Sequence, residues 1–430
     1  MKKLMTRRQA LGTALGGAAM LSTGGKSFAA SKTLNVLCHR VHQNSLTTGA
    51  AGDQTKAWRE KNDTDIAYTT FDSDPLQDRL FREASLDKTD FGVAFLVNSR
   101  ATANAAKLLL PLDDYRAKSP IEDFPDIAPG LVQAMTIGGK LIAIPFRTAT
   151  QGLFYNEALL EERGIKAPPS TLEELVDQAK RLTFTSAAGT PVVGMVLASE
   201  LSVFPVIFAR AFGGDFIGAD MKLLPQPDAM EKALATLADM FKSGALPRTY
   251  ATTSNDDQVT WIQQGRAAFA VLPFARSPQV NNKDQSKYPG KIKAIEFPMS
   301  ETLKGKVPMA SVVEFWAQCI PANARDKDLA WSFIREASSK AVTLGAARNG
   351  NGPVRVSTYA DPSFAGSNPL AAIEAKALAG GRVPLPAFPD AARAQAMFVE
   401  EVQLAVLGRK SPKDAIAAIT ERVKPLIPTG

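Results

Sequence analysis

The stretch from Gly139 to Thr183 constrains the fold more than any other part of the chain. Leu141 to Ile144 reads as a short apolar strand that Pro145 should close, because proline has no N–H to give to a ladder. Arg147 to Gln151 is polar and Leu153 to Tyr155 is apolar again, so the pattern predicts two buried strands with a polar break where the backbone passes from one core to another. Asn156 is placed to cap a short helix carrying Leu159 and Leu160, and Gly164 to stop it in the left-handed conformation, with Ile165 as the trailing apolar contact. After Pro168-Pro169, Ser170 and Thr171 each have a glutamate three residues on, so a capping box fits in either register. Leu172, Leu175, Val176, Ala179 and Leu182 then mark one face of a helix.

The flanking chain alternates strands with helices, the pattern of an α/β fold. Thr33 to Cys38 reads as the first strand, followed by His39 to Asn44 as a loop at the sheet's carboxyl edge, where ligands bind in open α/β sheets. A helix is expected over roughly Ala50 to Glu60 with Trp58 packed, then strands at Ile66 to Phe71 and Phe91 to Val97. Val192 to Val196 is a further strand, the Gly213-Gly214 pair can admit a ligand close to the backbone or form a plain turn, and Glu231 to Lys242 is a helix stopped by Gly244. Ala310 to Ala322, centred on Glu314, Phe315 and Trp316, reads as a second passage between cores, and the glycine-rich Arg348 to Pro353 as a third.

The run from Ile144 through Leu182 resembles the signature of family 1 extracellular solute-binding proteins, the maltodextrin-binding-like receptors of ABC importers. Trp261 to Val271 resembles the family's segment in which a helix ends on glycine and a strand begins at once, although Phe269 stands where methionine is usual. The strand's end reads Leu272-Pro273-Phe274-Ala275-Arg276, so the stacking tryptophan of many sugar-binding members is absent and Phe274 is its nearest substitute. Val354 to Pro362 and Gly408 to Leu426 resemble family segments too. The resemblance implies a two-lobe α/β fold of the periplasmic-binding-protein type II class, with discontinuous lobes joined by a three-strand hinge. The expected division is a leader over residues 1–30, one lobe from 31–147 and 316–350, and the other from 148–315 and 351–430. It also implies hinge closure on a solute, then docking on permease subunits driven by a separate ATPase.

The opening residues read as a leader: Lys2, Lys3, Arg7 and Arg8, a weakly apolar run from Ala10 to Leu21, and small residues ending at Ala29-Ala30. Thr6 to Leu11 resembles a twin-arginine export signal. With its five cations and no acid removed, the formal charge drops from +7 to +2, and no dense basic tract remains to meet a nucleic acid. Val36 and Leu37 are not the small residues that precede a lipid-bearing cysteine, so the expectation is a soluble periplasmic monomer. Cys38 and Cys319, the only two cysteines, have no redox or zinc spacing; two buried thiols or an exported disulfide both fit.

No His-Glu-x-x-His, Cys-x-x-Cys, Gly-x-Ser-x-Gly or Walker loop is present in the exported part, and the two histidines sit together without a nearby ligand set for a metal. The chain therefore reads as a binding protein without catalytic residues, cofactor or metal, with a secreted glycan-degrading enzyme as the competing class. A sugar or polyol wants groups that donate and accept, since a buried hydroxyl left unpaired costs about 1–3 kcal/mol. The candidates are His42, Gln43, Asn98, Arg147, Thr148, Gln151, Gly214, Phe274, Arg276, Glu314, Trp316, Arg348 and Asn349, with Trp316 for stacking and Gln151 and Glu314 for hydroxyls. Arg40, Arg147, Arg276 and Arg348 leave an anionic sugar derivative open as the alternative ligand.

Overall fold

The computed structural model describes residues 32–199, 202–218, 220–309 and 311–428; the expected leader lies outside them. The described strands are β1 (Lys32–Cys38), β2 (Thr64–Thr70), β3 (Phe91–Val97), β4 (Thr136–Ile137), β5 (Lys140–Leu141), β6 (Ile144–Asn156), β7 (Phe184–Thr185), β8 (Pro191–Val196), β9 (Ala267–Pro273), β10 (Ile292–Ile295) and β11 (Val313–Cys319). Apart from the small β4-β5 hairpin they join in one sheet of order β2-β1-β3-β11-β6-β9-β8-β7, with β10 also on β6. β6 is the axis of the molecule. Its first half pairs with β11 and its second half with β9 and β10.

The polar break expected over Arg147 to Gln151 does not exist, because β6 runs through it unbroken. Pro145 stands opposite Ala317, next to the register shift between Trp316 and Ala317, and a ladder irregularity is where a missing N–H is tolerated. Other crossing segments pair the passage's own amides: Thr148 N donates to Gly352 O at 3.0 Å and Gln151 N to Val312 O at 2.9 Å. Gly352 must be glycine for this, since a Cβ there would lie 2.0 Å from Thr148 O.

Buried apolar side chains gather on either side of these crossings. One cluster draws on Leu34 to Phe146, Phe315 to Ala346 and Val354. Another draws on Leu153 to Val312 and Leu385 to Val423. Local reading of the opening stretch holds: Asn156 Oδ1 accepts from Ala158 N and Leu159 N, and Gly164 has φ +67. Thr171 caps the next helix through Glu174 N, while the Glu174 carboxylate reaches back to Ser170 N and Oγ at 2.7 Å, so the box uses both candidate caps. Cys38 and Cys319 are buried free thiols, pushed up by burial, Cys38 to about 12.

After β1 the expected loop is instead a helix, Arg40–Thr47, and the helix expected near Ala50 is confined to Lys56–Asn62. His39 acts as N-cap, its Nδ1 accepting from Val41 N at 3.2 Å, while His42 Nδ1 accepts from His39 N at 3.3 Å. Histidine is not among the usual capping residues, which is why the helix start is invisible in the sequence.

Glu374, on the helix Ala371–Ala379 packed against β6, is 1% exposed. Burial pushes its carboxyl up to about 7, against the lowering influence of Tyr359 and Arg147. Its ordinary value is 4.5, so in that window the folded chain keeps a proton that the unfolded chain has released, and stability falls as pH rises. Glu374→Gln is therefore expected to raise the melting temperature at about pH 8 and to have almost no effect at about pH 4. A gain equal at both pH values would refute this titration.

Candidate functional site

Alternation along β6 and β11 sorts their side chains onto two faces. Trp316 pairs with Arg147 and Val97, and Glu314 with Ala149, so Arg147, Ala149, Gln151, Glu314 and Trp316 share one face. His39, at the end of β1, brings its ring to 6.5 Å from Trp316, and the His42 ring lies 5.0 Å from it. Asp72, just past β2, holds a carboxyl oxygen 3.9 Å from His39 Nε2. Arg276, just past β9, donates to Gln279 Oε1 at 2.6 Å and has Asp256 at 3.5 Å.

Several polar atoms here are unspent. His42 is fully buried and stacked on Phe95 at 4.3 Å. Because its Nδ1 is an acceptor, the neutral ring carries its proton on Nε2, and that buried N–H has no partner. Burial, then the charge of Arg147, hold this imidazole well below its ordinary value. Gln151 Oε1 is likewise buried without a partner. Glu314 has no ion pair among the described residues, and burial raises its carboxyl. Burial and then Arg276 bring the Arg147 guanidinium down to about 10. Gln43 is half-buried on the helix that carries His42.

Six of the candidates are committed elsewhere. Phe274 is 2% exposed, its ring fills the space a Cβ on Gly152 would need, and it belongs to the core rather than to a stacking plane. Gly214 lets the chain approach Ala229, where a Cβ would stand 2.7 Å away. Asn349 accepts from Ala51 N and donates to Ser45 O and Gly52 O, tying down the turn after the first helix. Asn98 Oδ1 accepts from Phe315 N at 2.8 Å, and Thr148 Oγ1 donates to Pro353 O at 3.0 Å. Arg348 is exposed and acts electrostatically on Asp361. For Asn349, Asn98 and Thr148 the sequence supplies a suitable residue type, and a backbone partner removes it.

A cavity of about 690 Å³ lies on the other face of β11, lined by Val313 and Phe315 together with Leu131, Arg210, Tyr359 and Leu385. Two of its polar residues are engaged within the chain: Arg210 binds Asp215, Ser311 O, Arg382 O and Val383 O, and Tyr359 donates to Pro353 O. Unpaired buried atoms lie on both faces, Thr150 Oγ1 on the cavity side and His42 Nε2 and Gln151 Oε1 on the Trp316 side, where an aromatic plane stands beside them. Among the described residues no group of three or more His, Cys, Asp or Glu side chains could hold a metal.

A sequence profile of the bacterial extracellular solute-binding proteins matches residues 53–372, most of the chain. The chain belongs to that family. This solute-binding protein is 26% identical over 332 residues to the mannitol-binding protein of Pseudomonas aeruginosa, covering 74% of each chain. It is 27% identical over 214 residues to a probable ABC transporter-binding protein of Deinococcus radiodurans, where the match spans 48% of this chain and about half, 49%, of the relative. Its fold superimposes on a solute-binding protein of Thermotoga lettingae bound with α-D-tagatose with a TM-score of 0.78 at 23% identity, covering 92% of this chain and 100% of the other. The solute-binding protein thus has the two-lobe mixed α/β architecture, and family and fold are those of binding proteins rather than enzymes.

Proposed function

We propose that this chain is the periplasmic receptor of an ABC importer for a carbohydrate-like solute, a sugar, oligosaccharide or polyol. The observation that carries the reading is the polar face around Trp316: the unpaired Nε2–H of His42 and Oε1 of Gln151, with the Glu314 carboxyl, which burial raises, beside an aromatic plane. The mannitol-binding relative and the tagatose-bound structure support it from outside the site. In this reading the two apolar clusters are the cores of two lobes, 31–147 with 316–350 and 148–315 with 351–430 save that Phe315 and Val354 pack with the first, and β6, β11 and the Gly350 to Pro353 segment form the hinge. Contacts completed only when the lobes meet favour the closed form by their differential affinity, as hinge closure works in periplasmic binding proteins generally. A twin-arginine leader over 1–30 exports the chain, which works as a monomer and hands its solute to a permease.

A thermal-shift panel of sugars, polyols and sugar acids tests the reading. One solute is expected to raise the melting temperature, since a ligand at a hundred times its Kd stabilises the folded state by about 2.7 kcal/mol. No shift from any member at millimolar concentration would overturn it.

A further inference from the structure

Charge, rather than hydroxyl count, distinguishes one end of the Trp316 face. Arg147 points from β6 beside Trp316, and only its Nη1 is used, donating to Gly350 O and Asn351 Oδ1 at 3.2 Å each. Those two bonds fix the guanidinium plane. Among the described residues no carboxylate lies within ion-pair distance of it, and its Nε and Nη2 have no hydrogen-bond partner.

The surroundings add positive charge instead of removing it. Arg276 is close enough to disfavour the Arg147 cation, and His39 feels Arg147, Arg276 and Arg40 together. The acid nearest Arg276 is Asp256, whose side chain is 86% exposed and therefore well hydrated. Asp72 is 97% exposed and faces His39. Glu314, on the same face, makes no ion pair with Arg147, and its burial favours the uncharged form. Glu374, reached electrostatically from the other side of the strand, is only partly ionised at neutral pH. A guanidinium drawn out of water is stable only when something matches its charge and donors, and within the chain nothing does.

We propose that the solute is a polyhydroxylated carboxylate of the aldonate or uronate kind, its carboxylate held by the open edge of Arg147 with Arg276 behind and its carbon skeleton over Trp316. The Nε and Nη2 donors form the planar fork that matches two carboxylate oxygens. Glu314, half-buried on the same face, then serves the hydroxyls. This deepens the receptor reading and rests on it.

Isothermal titration of the purified chain with matched pairs is the test: galactose against galacturonate, glucose against gluconate, mannitol against mannonate. An acid is expected to bind at least about tenfold more tightly than its neutral counterpart, and to weaken as salt rises. Arg147→Gln should remove that preference, and Arg147→Lys should restore only part of it, lacking the fork. A neutral sugar or polyol, or a sugar phosphate, binding as tightly as every acid overturns the inference while leaving the receptor reading standing. Binding by no member of either set takes down the receptor reading itself. The comparison of acid with neutral partner needs no variant, so a poorly folding substitution does not blunt it.

Discussion

Arg355→Ala is expected to destabilise the chain by about 3–5 kcal/mol, the range for stripping one partner from a buried charged network. Arg355 is fully buried, immediately after the third crossing. Its Nε and Nη2 donate to Ser338 O at 3.1 and 2.6 Å, its Nη1 to Asp123 O at 2.8 Å and to the Asp126 carboxylate at 3.1 Å, and its Nη2 also to Glu122 O at 2.6 Å. Alanine leaves three carbonyl oxygens and a carboxylate without these donors, and opens a void the size of a guanidinium. The same contacts bind the chain emerging from the hinge to the 122–126 loop and to Ser338, so the loss is expected to loosen the crossing as well as the core. Urea unfolding measures it. Arg355→Lys should recover a minority of the loss, because an ammonium cannot span five acceptor contacts in one plane. A destabilisation below about 1 kcal/mol would show that these bonds are replaced by water at little cost.

How much of this was legible depends on whether a residue's fate is decided locally. Asn156, Gly164 and Thr171 were readable because a cap is satisfied within one helical turn, and strands such as Phe91–Val97 because an uninterrupted apolar run has few other uses. The continuity of β6 was not, since the partners of Thr148 N and Gln151 N, Gly352 and Val312, are remote along the chain. Phe274 and Asn349 fail as ligand groups for the same reason: Gly152 and the Ala51 turn, remote in sequence, claim them first. Arg355 lies in the Val354 to Pro362 segment that resembles the family, yet nothing local marks it as buried, and by residue type it is indistinguishable from the exposed Arg348. Arg147, Gln151, Glu314 and Trp316 come to one face because strand alternation fixes a face once the strands themselves are right.

Trp316→Ala is expected to weaken solute binding by about 30-fold or more, the loss of about 2 kcal/mol that marks a hot-spot aromatic. The ring is half-buried, flanked by His39 and His42 on one side and by Arg147 across the ladder. It is therefore held in place without being sealed into the core, as a stacking plane must be. Its position on β11 matters as much as its exposure, because β11 is one of the strands that pass between the lobes. A solute leaning on this indole touches the hinge, so that contact improves as the lobes meet, and removing it should lower the stability of the closed form more than that of the open one. Trp316→Phe keeps a flat apolar face and is expected to retain most of the affinity. Titration of both variants with whichever solute the thermal screen identifies decides the matter, with urea unfolding as the control for fold. If Trp316→Ala binds within about twofold of the unmodified chain, the solute does not lie over this ring, and recognition must be carried by the polar groups alone.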